Sequence, residues 1–270
     1  MHTIALIDSG VGGLSILAAI TAQLPNARIV YLADHQYAPY GEKQAQWVKQ
    51  RIVDLSSSLV TTHAPDCIVI ACNTASTLSL KALRAKLSTP IIGVVPAIKT
   101  AATMAHDTPI GVLATKATIN GEYIHRLIND FASSHQVIKQ ASSELVTMAE
   151  QKLSGIAVDL ISLKKIIQPL LDEKCKHVVL GCTHFPLLKP ELEIIAPDVA
   201  WIDSSNAIAH RCHSLLSRFS TPVSQTNKPL KTFYSTAAIS LDLTLHLKGL
   251  GFNSIQQKYS FTSEKSAPAN

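Results

Sequence analysis

Charged residues are scarce in this chain. Asp, Glu, Lys and Arg make up 16% of its 270 residues, against about 25% in ordinary soluble domains, while 47% are apolar. A sequence so rich in core-forming side chains does not remain an open coil, so disorder is excluded and a compact fold of one large or two smaller domains follows. Long apolar runs are missing as well. Nothing approaches the roughly 18–20 residues of a membrane span, and Met1-His2-Thr3 passes straight into Ile4-Ala5-Leu6-Ile7 with no basic leader, so a cytoplasmic protein is expected. The five cysteines, at 67, 72, 175, 182 and 212, are too few and too scattered for a disulfide framework. None forms a Cys-x-x-Cys or Cys/His spacing, so no metal is expected. The net charge of +5 is spread without a basic arm, and no aromatic-studded RNA motif accompanies it, so nucleic acid is not the leading partner.

Short β-branched runs alternating with segments of helical period are what the chain does contain. Strands are predicted at 4–7, 29–33, 67–71, 91–95, 110–113, 178–180, 201–202 and 232–234. Helices are predicted at 14–23, 42–62, 75–87, 119–132, 159–173 and 206–217. This alternation predicts an α/β fold, and the continuous Val/Ile/Leu character of the strands predicts parallel sheets covered on both faces.

One unit occurs twice. Cys67-Ile-Val-Ile-Ala-Cys72-Asn73-Thr74 and His177-Val-Val-Leu-Gly-Cys182-Thr183-His184 share a buried strand, a small residue, a cysteine and two polar residues, 110 positions apart. Ile4-Ala-Leu-Ile-Asp8-Ser9 and Ile110-Gly-Val-Leu-Ala-Thr115 repeat a second pattern at an offset of 107. The expected organisation is therefore two pseudo-symmetric parallel-sheet α/β domains with the active site between them. The first takes 1–96 plus a returning 207–270, the second 97–206, with crossovers near Val95-Pro96-Ala97 and 203–206.

Candidate chemistry sits where strands end. Asp8-Ser9-Gly10-Val11-Gly12-Gly13 is not a dinucleotide fingerprint, because Ser15 stands where a third glycine is required, and no Lys-Ser/Thr follows. It is either a plain tight turn or a cradle whose amides and Ser9 hydroxyl take a small carboxylate. Pro39-Tyr40-Gly41 is either a helix-entry loop or a third polar turn on the same sheet edge. Cys72 and Cys182 are either packing residues, as free cysteines often are, or functional thiols. Their position favours function, since α/β sheets bind ligands beyond the carboxyl ends of their strands. A helix N-terminus beside each is expected to lower its pKa from about 8.5. Two equivalent thiols flanking one ligand suit removal of a proton from one face of a carbon and its return to the other, which inverts a stereocentre.

These motifs, with Gly93-Val94-Val95-Pro96-Ala97, Gly111-Val112-Leu113-Ala114-Thr115, Phe185-Pro186-Leu187-Leu188 and Phe233-Tyr234-Ser235-Thr236, resemble the glutamate racemases of the cofactor-independent aspartate/glutamate racemase superfamily. The resemblance implies interconversion of L- and D-glutamate for peptidoglycan, with no cofactor. Cys72 would act on D-glutamate with Asp8 in support, and Cys182 on L-glutamate with His184 in support. Ser9, Tyr40, Gly41, Asn73, Thr74, Thr115, Thr118 and Thr183 match substrate-binding positions. A homodimer and a contact with DNA gyrase are implied as partners. Rival expectations are a racemase for aspartate or another amino acid, and a binding protein on a degenerate racemase scaffold. The stretch 141–150 departs from the family's Cys-Pro-x-Phe-Val-Pro-Leu-Val-Glu, keeping only the valine and the final Glu150, which the resemblance places in support of the second thiol. Cys67, Cys175, Cys212 and His125 fall outside the motifs and are expected to be packing or surface residues.

Overall fold

The computed structural model describes residues 1–106, 108–218 and 230–260, so 219–229 and 261–270 of the expected returning segment lie outside the described residues. The chain opens with β1 (Thr3–Asp8), α1 (Leu14–Gln23), β2 (Arg28–Ala33), α2 (Ala45–His63), β3 (Cys67–Ile70), α3 (Asn73–Lys86) and β4 (Ile91–Gly93). Then follow α4 (Ile98–Met104), β5 (Ile110–Ala114), α5 (Lys116–Asn120), α6 (Glu122–Phe131) and β6 (Val137–Ala141). The second half continues through α7 (Glu144–Leu153), α8 (Leu160–Asp172), β7 (His177–Leu180), α9 (Lys189–Ile195) and β8 (Ala200–Ile202). It closes with α10 (Ser205–Leu216), β9 (Lys231–Ser235), α11 (Leu241–Gly249) and β10 (Ser254–Gln256).

Two wholly parallel sheets result, in the orders β10-β9-β2-β1-β3-β4 and β6-β5-β7-β8. The inner order of the first, β2-β1-β3-β4, is that of the second, so the repeated sequence units occupy equivalent strands. Strand periodicity divides each core in two. Ile4 and Leu6 of β1 face α1, α10 and α11, where Leu17, Ile20, Ile208, Cys212 and Leu247 pack. Ala5 and Ile7 face α2 and α3, meeting Ile52, Leu55, Leu59 and Leu83. In the second sheet, Ile110 and Val112 pack with Ile98 and Ile124, while Leu113 and Val178 pack with Leu163, Ile167 and Leu192. The two connections between sheets pass each other where Ser204 Oγ donates to the Val95 carbonyl.

The expected helix 119–132 is instead two. Gly121 is extended between α5 and α6, and the Thr115 side chain caps α5 by accepting from the Thr118 N–H. The expected helix start at 42 is displaced as well: Tyr40–Glu42 form a 3-10 turn, and α2 begins at Ala45. Among the described residues, no helix is long and apolar enough to cross a membrane.

Candidate active site

In each sheet the strand order reverses beside the first strand, at β1/β3 and at β5/β7, which are the topological switch points where such sheets bind ligands. Ile7 pairs with Ile70 and Leu113 with Leu180; continuing each register by two residues sets Ser9 beside Cys72 and Thr115 beside Cys182. The duplicated motif thus delivers equivalent thiols to equivalent crevices.

At the first crevice Asp8 is wholly buried at the end of β1. Its Oδ1 accepts the Gly10 N–H at 3.1 Å and the Ser9 hydroxyl at 3.2 Å, and its Oδ2 accepts the Gly13 N–H in a short bond. The Tyr31 hydroxyl donates to the Gly10 carbonyl at 3.0 Å and holds the turn from below. Ser9 Oγ lies 3.9 Å from Cys72 Sγ, so the hydroxyl stands between carboxylate and thiol. Burial pushes the Asp8 carboxyl up, against the opposing pull of His184 and of the Gly10 and Gly13 amides. The Cys72 thiol departs from the expected lowering. Burial and then the Asp8 charge raise it, and the Ala75 N–H at the start of α3 offsets only part of that rise. Desolvation outweighs the helix N-terminus here, because Cys72 is only 7% exposed.

At the second crevice Cys182 Sγ lies 3.9 Å from His184 Nδ1, and His184 Nε2 is 2.8 Å from Glu150 Oε1. Burial alone would lower the His184 pKa, but Cys182, Glu150 and Asp8 together hold it well above the usual imidazole range. Burial raises Glu150, and hydrogen bonding and charge from His184, with lesser help from His35 and the Val11 N–H, bring it below its ordinary value. The missing prolines of 141–150 do not displace this residue: α7 forms there and carries Glu150 to the imidazole.

The crevices meet. Thr183 Oγ1 donates to Asp8 Oδ2 at 3.2 Å, Ser15 Oγ to the Thr183 carbonyl at 3.2 Å, and the Val11 N–H to Glu150 Oε1 at 3.2 Å. Gly12 permits the approach, since a Cβ there would lie 2.7 Å from the His184 backbone nitrogen. Asn73, Cys182 and Thr183 line a cavity of about 10 Å³ together with Ser204 and Ser205, and the buried Asn73 Nδ2 has no hydrogen-bond partner among the described residues. Thr74 is buried in the first turn of α3. Gly41 faces Thr115, where a Cβ would make ordinary van der Waals contact at 3.5 Å, and the Thr115 and Thr118 hydroxyls are 3.1 Å apart. The Tyr40 hydroxyl donates to Asp34 Oδ2 at 2.6 Å, and the side chain belongs to the same core cluster as Cys72.

Both thiols are therefore brought to one closed interface, with Ser9, Asn73 and Thr183 beside them. Across such an interface the sequence profile of the Asp/Glu/Hydantoin racemase family matches residues 12–212. The chain belongs to the Asp/Glu/Hydantoin racemase family. Within that family it is 42% identical to glutamate racemase of Pectobacterium atrosepticum, over 94% of this chain and 90% of that one. It is 43% identical to glutamate racemase of Vibrio vulnificus, over 94% and 95%. The crystal structure of Escherichia coli glutamate racemase in complex with L-glutamate and the activator UDP-MurNAc-ala has a TM-score of 0.88 and 38% identity, covering 95% of this chain and 97% of that one.

Sequence reasoning missed several residues that shape this racemase-family site. Asp34 accepts Arg51 Nε at 3.0 Å and Nη2 at 2.8 Å as well as Tyr40, and so fixes the Tyr40-Gly41 loop. Its signal was a lone carboxylate following a buried strand. Tyr31 and His35 carried no motif. The remaining cysteines pack: Cys212 against Cys67 and burial push the Cys67 thiol up, and burial pushes Cys175 up to about 11. His125 is exposed on α6. Among the described residues no group of three or more His, Cys, Asp or Glu is placed to hold a metal.

Proposed function

We propose that the protein interconverts L- and D-glutamate without a cofactor, Cys72 and Cys182 acting on opposite faces of the α-carbon, and that it supplies D-glutamate for peptidoglycan. The observation that carries this reading is the pair of strand-end thiols, each with its own proton partner, meeting across one interface. The relatives named glutamate racemase, and the L-glutamate bound in the Escherichia coli structure, point to glutamate as the substrate.

The two halves carry protons differently. Burial and Asp8 keep the proton on Cys72, while an imidazolium His184, held by Glu150, faces Cys182. That distribution sets the closed enzyme for L-glutamate: Cys182 takes the α-proton and Cys72 delivers its own to the opposite face. For D-glutamate the roles exchange. The Cys72 proton then passes through the Ser9 hydroxyl to Asp8, a carboxylate made more basic by its burial. Asn73, Thr74 and Thr183, with the Tyr40-Gly41 backbone and Thr115 and Thr118, hold the two carboxylates and the ammonium. The thiols are 7% and 8% exposed, so the units 1–96 plus 207–270 and 97–206 must part to admit glutamate. Closing again removes water from the carbanion-like species and strengthens each polar contact.

Circular dichroism of D-glutamate incubated with the purified, pyridoxal-free protein tests the reading. Decay of ellipticity to zero is expected, and Cys72→Ser or Cys182→Ser should each nearly abolish it. Undiminished decay in either variant would refute the two-thiol assignment. A homodimer and a contact with DNA gyrase belong to the same reading. Sedimentation tests the first, and gyrase inhibition by a variant lacking both thiols tests the second.

A further inference from the structure

Both units of the molecule hold on to α7, the helix that carries Glu150. From the first unit, the Val11 N–H donates to Glu150 Oε1 at 3.2 Å, and Leu153 packs against the core shared by α1, α10 and α11. These contacts are given up when the units part to admit glutamate. On the second unit α7 is kept by its buried stripe, Leu145, Val146 and Ala149, and by a polar grip that the mechanism above does not use. Lys152 Nζ donates to the Leu187 carbonyl at 2.8 Å and lies 2.7 and 2.8 Å from the two carboxylate oxygens of Glu191.

Glu150 and Lys152 stand two positions apart, which on a helix sets them on opposite flanks of that stripe. Both nevertheless reach the same short segment. Glu150 Oε1 is 2.8 Å from His184 Nε2, and Lys152 takes the carbonyl of Leu187 three residues further on, in the 3-10 turn Phe185–Leu188. The turn is tied to the site by its own backbone: the Phe185 N–H donates to the Cys182 carbonyl and the Leu187 N–H to the His184 carbonyl, each at 3.1 Å. A helix held at one point can roll on its apolar stripe. Held on both flanks, it cannot.

We propose that Lys152 is a positioning residue for the Cys182 half of the reaction: by gripping the Leu187 carbonyl and Glu191 it fixes the roll of α7, and so keeps Glu150 on His184 while the interface opens and closes. It acts through Glu150 and His184 and not on the reacting carbon. Its three partners lie within one unit, so the grip persists when the Val11 contact is lost. This inference rests on the two-thiol reading.

A glutamate bearing chloride on Cβ isolates each half. One thiolate removes the α-proton, the Cα–H electron pair becomes the Cα=Cβ bond, and chloride leaves. The resulting enamine takes up water to give 2-oxoglutarate and ammonium. Release from the L-configured compound reports Cys182, and from the D-configured compound Cys72. Lys152→Met keeps the apolar stem and removes the ammonium. It should slow chloride release from the L compound by about 10-fold and leave the D compound within about twofold. The His184 pKa, read from ¹³C-labelled histidine, separates positioning from charge by its sign. Freeing Glu150 lowers it, whereas losing a mere neighbouring cation raises it. Lys152→Arg, which can donate to both carbonyl and carboxylate, should recover the L rate to within about threefold and guards against a misfolded Met variant. Equal slowing of both enantiomers, slowing of neither, or a rise in the His184 pKa overturns the assignment while leaving the two-thiol reading intact. Chloride release from the L compound that survives Cys182→Ala overturns that reading and this inference together.

Discussion

Replacing Glu150 with glutamine removes one charge from the second crevice and little else. The amide oxygen can still accept both the Val11 N–H, now at 3.2 Å, and His184 Nε2, now at 2.8 Å, so shape and contacts persist. A hydrogen bond to a charged group contributes about 1.5–3 kcal/mol and a neutral one about 1, so the imidazolium loses roughly 1–2 kcal/mol of support. That corresponds to a fall of roughly one unit in the His184 pKa and roughly 10-fold in kcat if the imidazolium governs Cys182. The pKa is read from the ring carbon shifts of ¹³C-labelled histidine, assigned by difference against His184→Asn. Because enantiomers have equal free energy, kcat/KM must fall by the same factor for L- and D-glutamate. Any asymmetry therefore appears only in how kcat and KM share the loss. A His184 pKa that moves by less than about 0.3 unit would refute the claim that Glu150 holds the charge on this ring.

The same pair makes stability depend on pH. Glu150, lowered in the fold, contributes fully above its unfolded value near 4.5 and loses this as pH falls through its folded pKa; His184, raised, contributes fully below 6.5 and loses this as pH rises through its folded pKa. Thermal unfolding should show the pair's contribution greatest between about pH 4.5 and 6.5, and Glu150→Gln should flatten that profile. Gly12→Ala places a Cβ against the His184 backbone and should prevent closure, costing roughly 100-fold or more in kcat/KM while Tm changes by only a few degrees. Tyr40→Phe leaves Asp34 with Arg51 alone and loosens the Gly41 turn. It should raise KM for glutamate by roughly three- to tenfold with kcat nearly unchanged, as steady-state kinetics would reveal.

The central strands were legible because both of their faces are covered, which makes Ile4-Ala5-Leu6-Ile7 or Val178-Val179-Leu180 a continuous apolar run. Of the four edge strands, β4 and β8 were legible and β6 and β10 were not. β6, Val137-Ile-Lys-Gln-Ala, lies half-exposed at the rim of the second sheet, and β10 has only three residues, so neither shows a buried run. The thiols, Asp8 and His184 could be found because the motif is duplicated and ends on strand tips. The direction of the Cys72 shift could not, since local sequence shows the helix N-terminus but not the depth of burial that outweighs it. Glu150 was reached through a resemblance at its weakest stretch, although its partners, His184 and the Val11 N–H, come from segments far away in sequence. Asp34 holds its loop through a contact with Arg51 that no local pattern encodes.

Whether one thiol or two carry the proton is decided by where solvent deuterium enters. L-glutamate incubated with the protein in deuterium oxide and sampled early should yield D-glutamate carrying deuterium at the α-carbon while the remaining L-glutamate keeps its protium, because Cys72 delivers a solvent-derived deuteron to the face opposite the one from which Cys182 removes the proton. Deuterium appearing equally in substrate and product at early times, or protium carried over into the product, would mean that a single group serves both faces, and would contradict the two-thiol mechanism.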